Sequence, residues 1–297
     1  LFIVVALLAI RVEGGEPFPA ELTRFEPIAE NPVFAAAGEN HWDVKIRERG
    51  WILREGDTWR MWYTGYDGTR AGQKFLGYAT STDGRTWKRH PEPLYREHWV
   101  EDVCVIRREE TLYMFAEGEQ DRAQLLTSRD GLTWSRVGQL DVRLSNGDAI
   151  PEGPFGTPTA WFEDGVWNLF YERNDRGIWL ARSKDLKTFT NVQDDPVMAP
   201  GPDEFDHDLI AMNQVIKHDG RYYAVIHGTK KSPDPSQPNM WATGLAMSTD
   251  LIHWKKFPGN PLRPISENKS SGLLIHDGQQ FRLYTMHGKV DLHRHGR

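Results

Sequence analysis

A strand ending in an aromatic-rich run returns along this chain five times, at intervals of roughly fifty residues, and a repeat of that period restricts the fold more than any other feature. The runs are WRMWYTG at 59–65, LYMFAEG at 112–118, VWNLFYER at 166–173, YYAVIHG at 222–228 and FRLYTMHG at 281–288. Four are followed by a second motif: GYATSTDGRTW at 77–87, LLTSRDGLTW at 125–134, LARSKDLKTF at 180–189 and LAMSTDLIHW at 245–254. Asp83-Gly84 and Asp130-Gly131 suit a tight turn with positive φ, and the Ser ahead of each can bond the turn backbone. Adding the strand that precedes each aromatic run and the short segment after each Trp or Phe gives four antiparallel strands per unit. Units of this kind, repeated, make a β-propeller.

The expected fold is therefore all-β, a five-bladed β-propeller spanning 23–297 as a single domain, with no linker dividing it. The last unit lacks a fourth strand. The segment FEPIAENPVF at 25–34 resembles the missing one, especially KKFPGNPLR at 255–263, and is expected to pair with the last blade and close the ring. The Pro-rich stretch SPDPSQP at 232–238 falls inside blade four as a hairpin loop and is the expected wall of any site on that face.

Residues 1–10, LFIVVALLAI, are wholly apolar and are followed by Arg11 and Gly14-Gly15. Ten residues are too few to cross a bilayer but fit the apolar region of a secretory signal peptide, assigned here to 1–15. The expectation is a secreted or periplasmic protein with no membrane span in the mature chain. Cys104 is the single cysteine, so no intrachain disulfide forms, and its apolar setting predicts a buried residue. A net charge of −6 supplies no basic field for phosphate backbones and argues against nucleic acid as a partner.

In a propeller the innermost strands line one axis. Aligning the five aromatic runs on their closing glycine, or its equivalent, puts Thr64, Glu117, Glu172, His227 and His287 at the same place around that axis. None is apolar. Further acids stand at or before the starts of the inner strands: Asp43 and Glu48, Glu101 and Asp102, Glu152, and Asp206 and Asp208. Two carboxylates across a glycosidic bond, one protonated and one ionised, suffice to cleave it, and burial or like charge separates their pKa values.

The five-unit repeat, the SxDGxTW turns and the acids at the inner strand starts resemble the five-bladed glycosidases of the arabinanase, levansucrase and invertase superfamily, chiefly glycoside hydrolase families 43 and 32. The resemblance runs from Phe25 to His287. It implies an Asp opening the first inner strand, a second Asp on a later blade, and a general acid in a Glu-Gly-Pro-like setting. Asp102 matches the second Asp, eleven residues ahead of Tyr113, and Glu152-Gly153-Pro154 matches the acid motif in a looser register. For the first Asp, Asp43 has the right type and Glu48 the right register. Glu117 and Glu172 compete with Glu152 for the role of acid.

The sequence thus predicts a glycoside hydrolase acting on an oligo- or polysaccharide. Catalysis is drawn from Asp43, Glu48, Asp102, Glu152, Glu117 and Glu172. Substrate hydroxyls and ring faces are expected to meet His41, Trp42, Arg47, Glu101, Arg173, His207, Asp208, Asn213, His227 and His287. No cofactor is required, although His227 and His287 could hold an axial metal ion with Glu117 and Glu172. Two alternatives are a sugar-binding propeller without catalysis and a metal-dependent lyase or hydrolase built on that axial His and Glu ring.

Overall fold

The computed structural model describes residues 17–47, 49–69, 71–151 and 155–296. The expected signal peptide, Glu48 and Glu152 lie outside the described residues. Five sheets, antiparallel except for one edge pair, follow one another along the chain. Their innermost strands are Trp51–Glu55, Glu101–Arg108, Gly156–Glu163, Leu209–His218 and Gly272–His276. Each packs against the innermost strands of the blades on either side, and the fifth returns to the first, so the five enclose an axis.

Ring closure follows the sequence expectation. In blade five, strands Phe281–Met286 and Lys289–His295 extend the sheet outward, and the fourth strand comes from the other end of the chain. Phe25–Pro27 pairs antiparallel with the outer edge of Lys289–His295 and Phe34–Ala35 with its start. Two blades depart from four simple strands. The inner strand of blade one is broken, with Lys45–Ile46 and Trp51–Glu55 both pairing along Thr58–Tyr66. Blade three carries a fifth strand, Asp141–Arg143, which pairs parallel with its outer strand Thr188–Asn191 because the crossover from blade two runs along that edge.

The repeated turns hold the outer strands in place. Gly84 N–H donates to Ser81 Oγ at 2.9 Å, and Asp83 Oδ1 accepts the N–H groups of Arg85 and Thr86 at 2.7 and 2.8 Å. The same bonds recur around Asp130 and Asp250, and in part around Asp185. The turn needs positive φ after its Asp. Gly84 and Gly131 supply it freely, whereas Leu186 and Leu251 adopt φ of 64° and 69°.

Aromatics fill the seams between blades. Trp134 of blade two meets Trp62 of blade one edge to face at 6.1 Å, and both indole N–H groups donate to Gly131 O. Trp254 of blade four packs on Phe170 of blade three at 6.0 Å. Cys104 is fully buried, as expected, in the inner strand of blade two.

Candidate active site

Three inner strands carry one extra residue near their start. Pairing with the second strand slips between Glu101 and Cys104, between Gly156 and Thr159, and between Met212 and Gln214. Such a bulge bends the strand and re-aims its side chains. Asp102 and Thr157 sit in two of these bulges with φ of 52° and 47°, and Arg49 takes φ of 56° at the matching place in blade one. A left-handed backbone at a non-glycine costs of order 1–3 kcal/mol and collects at functional sites.

The bulges open onto a central cavity of about 420 Å³. Five of the residues singled out from the sequence line it: Arg47, Asp102, Glu117, Glu172 and His227. Asp121, Thr157, Asn174, Asp175, Arg176, Lys231 and Trp241 join them. These come mainly from the loop after each second strand, where no strand period marks them.

Glu117 and Glu172 close over one α-carbon. Glu117 Oε2 accepts Thr157 N–H at 2.8 Å, while Glu172 Oε1 accepts Gly156 N–H at 3.2 Å and its Oε2 accepts Asp175 N–H. A methyl group on Gly156 would collide with Glu117 Oε2 and stand 2.8 Å from Glu172 Oε1, so this close approach requires glycine. Thr157 Oγ1 donates to Asp102 Oδ2 at 3.4 Å, which ties the third acid to the same bulge.

Burial pushes the Glu117 carboxyl well above the usual carboxylate range, and the charges of Asp102, Glu101 and Glu172 push the same way. Burial also raises Glu172, but less, because the N–H groups of Asp175 and Gly156 and the Arg49 charge oppose it. Glu101 is buried and ion-paired with Arg47 at 3.1 Å. Ligand atoms of Glu101, Glu117 and Asp121 lie within 4.8 Å of one another, close enough to share a cation, at a point where Arg47 already supplies positive charge.

The other predicted residues are placed as follows. Asn213 is fully buried and bonds His227 Nδ1 at 2.6 Å, fixing the ring, which meets Trp241 edge to face with ring centres 5.3 Å apart. Asp208 accepts Lys231 N–H at 2.8 Å and holds that residue at the rim, while His207 bonds Asp208 at 2.9 Å on the exposed side. Asp43 is completely buried beneath the blade-one hairpin, bonded to Tyr63 OH and ion-paired with Arg89, and does not line the cavity. Trp42 stacks on Tyr63 with its N–H on Pro91 O, and His41 is exposed beside it. Arg173 lies over the Trp179 ring, and His287 bonds Ser270 and Asn268. Neither lines the cavity. Asp206, also buried, is ion-paired with Lys256.

One residue of evident importance escaped the sequence reading. Arg49 is fully buried, and Asp102, Glu117 and Glu172 all act on its charge. The sequence signal was its place, since it occupies in blade one the position that Asp102 occupies in blade two.

No family model matches the sequence. An uncharacterized Mycobacterium tuberculosis protein, Rv1502, is 30% identical over 117 residues, which are 33% of this chain and 38% of that protein. The chain therefore matches well under half the length of this curated relative. Solved structures match far more completely. A glycosyl hydrolase from Bacteroides ovatus superposes with a TM-score of 0.74 at 18% identity, covering 91% of this chain and 92% of that one. The chain has the fold of the five-bladed propeller glycosidases. A structure from the GH130 family of mannoside phosphorylases, which contains glycoside hydrolases targeting β-1,2-mannosidic linkages in Candida mannan, gives a TM-score of 0.68 at 16% identity over 91% and 92%. The β-1,2-mannobiose phosphorylase from Listeria innocua, in complex with β-1,2-mannobiose, gives 0.68 at 14% over 91% and 95%. At these identities the likeness is one of fold.

Proposed function

We propose that this protein is a carbohydrate-active enzyme that cleaves a glycosidic bond in an oligo- or polysaccharide. The observation that carries the reading is the meeting of Asp102, Glu117 and Glu172 around one buried bulge in the axial cavity. Glu117 is the proton donor. It commits only Oε2 to the protein among the described residues, and burial beside other acids raises its hold on a proton, as a donor requires. Glu172 accepts backbone N–H groups on both oxygens and is the better placed of the two to stay ionised.

As the bond between the anomeric carbon and the leaving oxygen breaks, the proton of Glu117 passes to that oxygen. Asp102 is the ionised partner, either taking the proton of the attacking water or bonding the anomeric carbon before water displaces it. The two routes give opposite stereochemistry at the released sugar, so the anomeric configuration of the first product distinguishes them.

A second reading, phosphorolysis, has an observation of its own. Arg176 and Lys231 line the same cavity and carry no ion pair among the described residues, so the pocket offers cations to an anionic acceptor. The same experiment tests both readings. A panel of aryl glycosides and oligosaccharides, including β-1,2-mannobiose, is incubated with and without inorganic phosphate. Free sugar without phosphate marks a hydrolase and sugar phosphate marks a phosphorylase. If no glycoside turns over while Asp102→Asn still binds one, the protein is a sugar-binding propeller.

Export completes the proposal, on the apolar run at 1–10 and the small residues after it. Sequencing the N-terminus of the protein made in its own cell tests it, and a mature chain that retains this run would refute it.

A further inference from the structure

The Pro-rich stretch 232–238 joins two strands of blade four, Arg221–Lys230 and Met240–Ser248, and no step of bond cleavage uses it. Ser232 N–H donates to Asn239 Oδ1 at 2.9 Å and closes the neck of the loop. Inside it Gln237 N–H donates to Asp234 O at 3.0 Å, and Asp234 Oδ1 accepts Ser236 N–H at 2.9 Å. The loop is braced by its own bonds, and it stands over a second cavity of about 540 Å³, against about 420 Å³ at the axis.

The two cavities adjoin. Lys231 lines both, held at the boundary by its N–H on Asp208 Oδ2 at 2.8 Å. Successive side chains of a strand point to opposite faces, and at the start of Met240–Ser248 Trp241 faces the axial cavity while Met240 faces the outer one. The boundary is therefore the Lys231 side chain and the end of one strand pair, in which Lys230 stands opposite Met240.

The outer cavity has the makeup of a saccharide subsite. Pro233, Pro238, Met240 and Ile265 give it apolar surface, and Ser232 and Gln237 add uncharged hydrogen-bonding groups. A sugar ring is divided in the same way, with C–H groups on its faces and hydroxyls around its edge, and such ligands suit apolar walls with a few polar groups. Charge points the same way. Lys230 is neutralised by Glu204 at 2.8 Å, so the lining offers a polyanion little beyond Lys231.

We propose that this cavity is a second saccharide subsite, continuous with the axial one, and that the substrate is a neutral chain long enough to pass Lys231 and lie beneath the loop. The proposal rests on the glycosidase reading for the reaction, but binding under the loop needs no turnover. The outer cavity is the larger, so it has room for at least as many sugar units as the axis. Contacts there are remote from the bond that breaks and favour longer substrates over shorter ones.

Two variants fill the outer cavity at residues that do not line the axial one: Ile265→Trp in the short helical turn Ile265–Glu267, and Gln237→Trp in the exposed loop. Each is compared with the wild type on an aryl glycoside cleaved in the panel above and on oligosaccharides of the same sugar, from the disaccharide to the hexasaccharide. In the wild type kcat/KM should rise about ten-fold between the disaccharide and the tetrasaccharide. In each variant that rise should shrink to about two-fold or less, with the aryl glycoside unchanged.

A flat series in the wild type overturns the proposal, as does a rise that survives in both variants. Gln237 is exposed, so its variant decides alone if Ile265→Trp does not fold. A variant that changes the sedimentation coefficient while the chain-length series stays as in the wild type assigns the cavity to a second copy of the chain and also overturns it. If no glycoside turns over, the glycosidase reading falls, and the ¹³C-methyl signal of Met240 is titrated with the oligosaccharides of the panel instead. A shift that Gln237→Trp abolishes keeps the subsite, and no shift, or one that the variant leaves intact, overturns it.

Discussion

Two sets of carboxylates divide this molecule. At the outer turns, Asp83 accepts two backbone N–H groups and the Ser81 and Thr86 hydroxyls, and these pull it down to about 2 against the cost of partial burial. At the axis, Glu117 accepts one backbone N–H, faces Asp102, Glu101 and Glu172, and is pushed the other way. Side chains of nearly the same chemistry are stabilised as an anion at one radius of the ring and as an acid at the other. The outer set closes turns; the inner set is strained, like-charged and half-satisfied, which is what a site that moves protons requires.

The comparison is broken most severely by removing the inner acids. Glu117→Gln and Asp102→Asn should each lower kcat/KM by about 10³-fold or more on any glycoside cleaved, with the fold intact by circular dichroism. Retained turnover in both would return the role of donor to Glu152. Gly156→Ala should cost nearly as much, because the methyl group drives Glu117 and Glu172 apart.

Stability should respond in the opposite sense at the two places. Asp83→Ala removes turn bonds and should cost about 1 kcal/mol by urea unfolding, with activity kept, the partial exposure of the turn holding the figure down. Glu117→Gln should be neutral or stabilising at neutral pH. In the wild type Glu117 stays protonated above 4.5, where the unfolded chain has begun to release its proton, so its contribution to stability falls as pH rises toward the folded-state value. Asp83 contributes stability that is present above 3.8 and lost as pH falls toward about 2. A urea midpoint followed against pH in wild type and Glu117→Gln reads the inner slope directly.

The smallest effect expected is from a chelator. If hydroxyl binding and proton transfer are carried by side chains alone, prolonged EDTA treatment should leave activity within about two-fold, whereas a collapse would assign Glu101, Glu117 and Asp121 to a metal ion.

Most of the architecture was legible because it is periodic. The five aromatic runs, the Ser-x-Asp turns and the likeness of 25–34 to a missing strand each follow from residues at fixed spacing, and the structure places them accordingly. The same alignment brought Glu117, Glu172 and His227 into the cavity. It did not do so for His287, which is bonded to Ser270 and Asn268, or for Thr64, which donates to Val100 O.

What escaped was aperiodic. The inner strand of blade one is broken between Ile46 and Trp51, so Arg49, in that break, was passed over in favour of Arg47, two residues away, although its place matches that of Asp102. Asp43 has the residue type of a catalytic acid, but Arg89 and Tyr63 capture it in the interior. Asp121, Asp175 and Arg176 sit in loops, whose direction no hydrophobic pattern records.

The closing strand also governs when this protein can exist at all. Asn31 bonds both backbone groups of Leu292 across 261 residues of chain, and until the ribosome has released that far end, blade five has no outer edge to offer. Four blades must wait as an open crescent, with the fifth inner strand unable to complete the wall around Arg49. The axial cavity is thus walled on every side only once Lys289–His295 has been made and has taken Phe25–Pro27 and Phe34–Ala35 along its length.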